Sequence, residues 1–166
     1  MEDLILPNTQ TDQLKEVKEK LTEAEKEQFF KAFLADKPYV AEETLFNGKL
    51  TAKFKTLNMA ESNLVMLQMQ LDKENGTAKD NDAYLIKVIQ YRIAASLIEL
   101  DKKPFNAGIN ETSNPTDLKT GTTYLIEKLK IMDNWPTFKI SGITAAFQSF
   151  EKKVRALTEE SFKENF

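Results

Sequence analysis

The chain has no cysteine and no histidine among its 166 residues. Without cysteine there is no disulfide, no thiolate nucleophile and no thiolate metal site. Without histidine, the side chain that titrates near neutral pH is missing, together with the usual ligand for zinc, iron and copper. Only carboxylate, lysine or tyrosine chemistry stays open. Glycine is scarce at five residues. No Walker A, GxGxxG or GxSxG sequence occurs, so a contiguous phosphate cradle and a nucleophile elbow are both excluded. No apolar run approaches the roughly 18–20 residues that span a bilayer. The opening MEDLILPNTQTDQ has a short apolar patch but neither a basic leader nor a long apolar core, so it does not read as a secretory signal. A basic excess is lacking too: 23 basic against 26 acidic residues, net −3, is not the footprint of a nucleic-acid binder.

What is there is mostly amphipathic helix. In residues 11–35, Leu14, Val17, Leu21 and Ala24 recur at three- and four-residue spacing. Thr22 with Glu25 forms a capping-box pattern, so a second helix is expected to start inside this segment. Its end, Phe29, Phe30, Phe33 and Leu34, is too apolar for water and reads as core before interface, and Asp36-Lys37-Pro38 stops it. Asn58 with Glu61 opens the next helix, which runs to about Lys73. Asp80 to Asp82 offer caps for a helix over about 82–100, apolar around most of its circumference and therefore expected at the centre of the core. The stretch 101–116 reads as a loop and is the one candidate internal boundary in a chain otherwise expected to be a single domain, 1–166. Asn114-Pro115 suits a helix start, and the helix to about 133 uses Leu118, Leu125, Leu129 and Met132. Pro136 breaks the pattern. In the last helix Ile143, Phe147, Phe150, Val154 and Leu157 step by four, three, four and three.

One stretch departs from this rule. In TLFNGKLTAKFKTL, residues 44–57, Asn47-Gly48 suits the two positive-φ positions of a type I′ turn. After it Leu50, Ala52 and Phe54 fall on one face, and Lys49, Thr51, Lys53 and Lys55 on the other. A hairpin near residues 42–57 with one buried and one wet, basic face is expected. An isolated hairpin is marginal in water, so helices or another chain must complete it. The fold class is thus mostly α, with five to six helices and one β-hairpin.

Motifs for chemistry are thin. An EF-hand loop begun at Asp72 needs glycine at its sixth place and glutamate at its twelfth; Thr77 and Ala83 stand there. Glu42-Glu43 and Glu159-Glu160 are adjacent pairs whose side chains diverge, so neither makes an acid/base dyad. The triplets Asn75-Gly76-Thr77 and Asn110-Glu111-Thr112 read as chance glycosylation matches. No cofactor and no metal are expected. Residues singled out for partner contact are Lys53 and Lys55 on the hairpin, Trp135 beside Pro136, and the terminal phenylalanines Phe162 and Phe166. Trp135 equally suits a plug at a helix junction, and the hairpin lysines, which could meet phosphates, read first as a solvated face that discourages edge pairing.

The stretches KPYVAEETLFNGKLTAKFKTLNMAE and FQSFEKKVRALTEESFKENF, a short β element running into a helix start and a phenylalanine-bearing helix ending in "NF", resemble small tail and baseplate assembly proteins of tailed bacteriophages, of the tail assembly chaperone type. The likeness covers about a third of the chain and carries no catalytic motif. It implies a non-enzymatic assembly factor that binds other tail or baseplate proteins in the cytoplasm of the bacterial host, with incorporation into the virion and homo-oligomerisation left open. A structural component retained in the particle is the nearest alternative. A small enzyme or ligand-binding protein with a carboxylate or lysine site is the alternative of a different class. No membrane and no nucleic acid enter this reading.

Overall fold

The computed structural model describes residues 15–18, 20–106 and 118–163. Helix dominates, and a four-stranded antiparallel sheet takes the place of the single expected hairpin. The chain divides into two compact units, Met1–Tyr39 with Ser149–Phe166, and Val40–Gln148. Among the described residues no helix is long and apolar enough to cross a membrane.

In the first unit, helix α1 spans Glu23–Leu34. The Thr22 hydroxyl accepts from Glu25 N at 3.2 Å, and Glu25 Oε2 accepts from Thr22 N at 2.9 Å, so two of the amide donors orphaned at the helix start are satisfied reciprocally. Burial opposes ionisation of Glu25, yet these bonds and Lys153, 3.3 Å away, hold its carboxyl below the usual range. At the other end Asp36 adopts a left-handed φ of 52°, while Lys37 N reaches Ala32 O and Asp36 N reaches Phe33 O. This is a Schellman stop with aspartate in the place glycine prefers. Tyr39 is buried between Phe29 (centroids 5.4 Å apart) and Phe150 (6.3 Å, stacked). Lys18 and Glu159 pair at 2.6 Å.

The second unit holds strands β1 Val40–Leu45, β2 Leu50–Lys55, β3 Leu97–Leu100 and β4 Lys103–Pro104, hydrogen-bonded in that order. With them are helices α2 Met59–Glu74, α3 Asn81–Ser96 and α4 Leu118–Asp133, and the start of α5, Thr137–Lys163. Asn58 and Glu61 form the second capping box, and Asp80 accepts from Ala83 N at 2.7 Å to cap α3. The EF-hand-like stretch turns out to be a second Schellman stop: Gly76 has φ 73°, and Thr77 N bonds Asp72 O at 2.9 Å. Asn114-Pro115, most of the 101–116 stretch and the Leu118 side chain lie outside what is described.

Alternation along β2 holds, with Ala52 and Phe54 fully buried and Phe54 5.6 Å from the Phe147 ring. The turn itself is wider than expected. Leu45 pairs with Leu50, leaving four residues between the strands, and Phe46, Asn47 and Gly48 all take positive φ. A two-residue turn with positive φ at both positions exists instead at Asp101-Lys102, between the paired Leu100 and Lys103. Phe46 lies in a region costly for a bulky residue, and its ring meets Phe138 edge-on at 6.2 Å. Gly142 makes room for it: a Cβ there would sit 2.7 Å from Phe46 Cζ.

The helix expected over 82–100 ends at Ser96, and the chain enters β3 without a loop. The reason is non-local. Ser96 Oγ donates to Lys55 O at 2.6 Å, Lys128 Nζ donates to Leu97 O at 2.7 Å, and β3 pairs with β2. Nor is α3 wrapped by core. Its second half buries Tyr91, Ile93, Ala94 and Ala95, whereas Leu85 and Ile86 are more than half exposed.

Candidate partner-binding surfaces

Two buried polar groups of the second unit are the first places to look for chemistry. Asp72, near the end of α2, accepts from Tyr91 Oη at 2.8 Å and from Gln68 Nε2 at 3.1 Å. Burial, and after it the Asp72 hydrogen bond, pushes the Tyr91 phenol far above its ordinary value, so it stays a neutral donor. Lys128 is fully buried on α4, its Nζ 4.5 Å from the Tyr124 ring centroid and 5.1 Å from that of Phe105, while it donates to Leu97 O. It neutralises carbonyl charge where α3 ends. Both groups are spent on structure. Among the described residues no three acidic side chains are grouped to hold a metal ion.

A different arrangement lies where α3, α4 and α5 meet. A half-open cleft of about 170 Å³ is lined by apolar Leu129, Met132 and Ile140 and by Gln90, Asp133, Trp135 and Thr137, which carry polar groups. Ligand and cofactor sites usually span roughly 300–1,000 Å³, so the cleft has room for a single side chain. Trp135, half-buried, rests against Phe105 at 5.3 Å, and Lys139 Nζ lies 4.2 Å from its ring centroid. Asp133 is exposed and makes no ion pair with Lys139. Neither Asp72 nor Lys128 lines this cleft.

The hairpin lysines do not form a free basic face. Lys53 pairs with Glu99 at 3.0 Å, Lys55 pairs with Glu61, and Glu42, opposite Lys53 in the ladder, pairs with Lys102 at 2.7 Å. Arg92 lies over the Phe147 ring at 5.8 Å rather than beside them. The alternation is present, but Glu99 and Glu61 compensate the charge of Lys53 and Lys55.

The first unit carries the largest departure from expectation. Helix α1 buries no residue at all. Phe29 packs on Tyr39, but Phe30, Phe33 and Leu34 are 42%, 65% and 66% exposed. These three stand at i, i+3 and i+4 and so share one stripe. Their assignment to the core fails because all three stand exposed on a helix that buries no residue. Phe162 is 61% exposed; Phe166 lies outside the described residues. Of the residues singled out from the sequence, Lys53 and Lys55 lie on the sheet and Trp135 lines the cleft of one unit, while Phe162 belongs to the other unit. Gln90, Asp133 and Thr137 were missed, and no spacing pattern links them. The α1 stripe was visible as a pattern, but its exposure was not.

No protein family, no curated protein and no solved structure matches the chain.

Proposed function

We propose that this chain is a non-enzymatic protein-binding factor, and that α1 is its principal docking element. The observation that carries the reading is the stripe Phe30–Phe33–Leu34 on a helix with no buried residue. Apolar area left in water forgoes about 25 cal/mol per Å², and a groove on a partner recovers it. Helix-in-groove recognition uses anchors at this i, i+3, i+4 spacing. Two phenylalanines and a leucine at about half exposure offer on the order of 300 Å², against ~800 Å² per partner in a standard interface. The stripe is thus the anchoring centre of a contact, with polar residues such as Lys26 and Glu27 around it. The setting we propose is assembly of a bacteriophage tail or baseplate, with other virion proteins as partners, following the resemblance carried by the hairpin and the last helix.

The test is affinity purification of the tagged full chain from its own producing cells, in parallel with F30S/F33S. Tail or baseplate proteins recovered with the parent and lost with the variant, at an unchanged melting temperature, support the reading. Recovery of the parent alone, or of the same proteins with both, overturns it. Finding the chain in finished particles distinguishes a retained component from a factor that leaves.

A further inference from the structure

We infer that the cleft edged by Asp133 and Trp135 is a receptor for one arginine side chain of a partner protein. Its three apolar residues, Leu129, Met132 and Ile140, form a wall suited to the methylene stem of a long basic side chain. Asp133, Gln90 and Thr137 also line the cleft, and each carries an acceptor of the kind the head of that side chain needs. Asp133 is the only formal charge among the lining residues. Lys139 lies over the Trp135 ring, 4.2 Å from its centroid, and does not pair with Asp133. An aspartate as the last residue of α4 also sits at the negative end of that helix, where nature usually places a cation. A planar guanidinium with five donors can meet a carboxylate in two bonds and still reach a neighbouring acceptor, which a lysine ammonium does less well. The volume of about 170 Å³ fits this occupant and not a cofactor.

That the arginine belongs to a protein rests on the binding reading above; that the cleft takes a guanidinium does not. The chain itself supplies the probe signal, because Trp135 is its single tryptophan and edges the cleft. The full chain is titrated with N-acetyl-arginine methylamide while tryptophan emission and the indole N–H resonance are followed. The neutral isostere N-acetyl-citrulline methylamide and the lysine counterpart serve as controls. A saturable response with a dissociation constant on the order of 1 mM is expected, as befits a small probe. It should weaken at least tenfold for citrulline and in D133N, and several-fold in Q90L, neither variant melting below the parent. No saturable response to tens of millimolar, equal binding of citrulline or lysine, or an unchanged response in D133N overturns the inference. Any of these leaves the α1 stripe untouched, since F30S/F33S tests that separately.

Discussion

Asp72 and Asp133 are near twins in inventory and opposites in use. Each lies at or near the C-terminal end of a helix in the same compact unit, and each keeps company with a glutamine and an aromatic ring: Gln68 and Tyr91 for one, Gln90 and Trp135 for the other. Around Asp72 the side chains bond one another and are buried. Around Asp133 they line an open cleft, and Lys139 lies over the indole. What separates a structural cluster from a receptive one is not residue type but whether the carboxylate's partners are supplied from within the chain. Buried polar groups that find partners specify a core; exposed ones that do not are left for a ligand.

The largest effect expected is from Asp72→Ala. Removing the carboxylate strands the Tyr91 hydroxyl and the Gln68 amide in the interior, and each orphaned group costs about 1–3 kcal/mol. Urea denaturation should show a loss of about 2–4 kcal/mol. Asp133→Ala, measured beside it, should change stability by less than about 0.5 kcal/mol, as exposed substitutions usually do. Equal losses at the two positions would erase the distinction between the clusters.

Tyr91→Phe is expected to cost about 1–3 kcal/mol, because Asp72 Oδ2 loses its donor. This variant also carries a pH signature. The folded phenol is held above the ordinary value of 10.0. Below pH 10 both folded and unfolded chains keep the proton, and the contribution is fully present. As pH rises past 10 the unfolded chain releases its proton first, so this contribution falls by up to about 1.4 kcal/mol per unit. Stability of parent and variant should therefore converge above pH 10. Parallel curves through that range would mean that the phenol is not held protonated by its surroundings.

How much of this was legible beforehand follows from how local each cause is. The capping boxes Thr22/Glu25 and Asn58/Glu61 and the Asp80 cap lie within four residues of the groups they satisfy, and all three were readable. So was the stepping of Ile143, Phe147, Phe150, Val154 and Leu157, all buried except the half-buried Val154. Leu97–Leu100 was not, because Leu-Ile-Glu-Leu continues a helix as readily as it forms a strand. The choice is made by β2 and by Lys128, 31 residues further on. The tight turn at Asp101-Lys102 has no glycine to announce it. The cleft draws on residues from 90 to 140, which no periodicity connects. The α1 stripe shows the complementary limit. Spacing reveals that Phe30, Phe33 and Leu34 share a face, but only the placement of neighbours reveals whether that face is covered.

Gln68→Met probes the committed cluster more gently. It removes a donor to Asp72, yet it also removes a buried Oε1 that has no hydrogen-bond partner among the described residues. A lost bond and a relieved orphan, each about 1 kcal/mol, nearly cancel. The expected change is under about 1 kcal/mol in urea denaturation, well below that of Tyr91→Phe. A loss as large as that of Asp72→Ala would show that the amide, not the phenol, carries the cluster.

The smallest effect is the most diagnostic, because its sign is opposite. Asp133 closes α4 at the end where the helix already presents partial negative charge. A carboxylate there is unfavourable by about 0.3–1 kcal/mol at low ionic strength. Asp133→Asn keeps shape and volume while removing the charge, so it should stabilise the free chain by a few tenths of a kcal/mol, and the gain should fade as salt screens the dipole. The Asp133 charge also contributes, least among the causes, to the raised Tyr91 phenol, so the variant should bring that phenol down slightly. A stabilising change at the rim of the cleft, coupled to loss of the tryptophan response to an arginine probe, is what a binding residue maintained against stability produces. A destabilising change would mean that Asp133 is held by the fold after all, and would place it in the same class as Asp72.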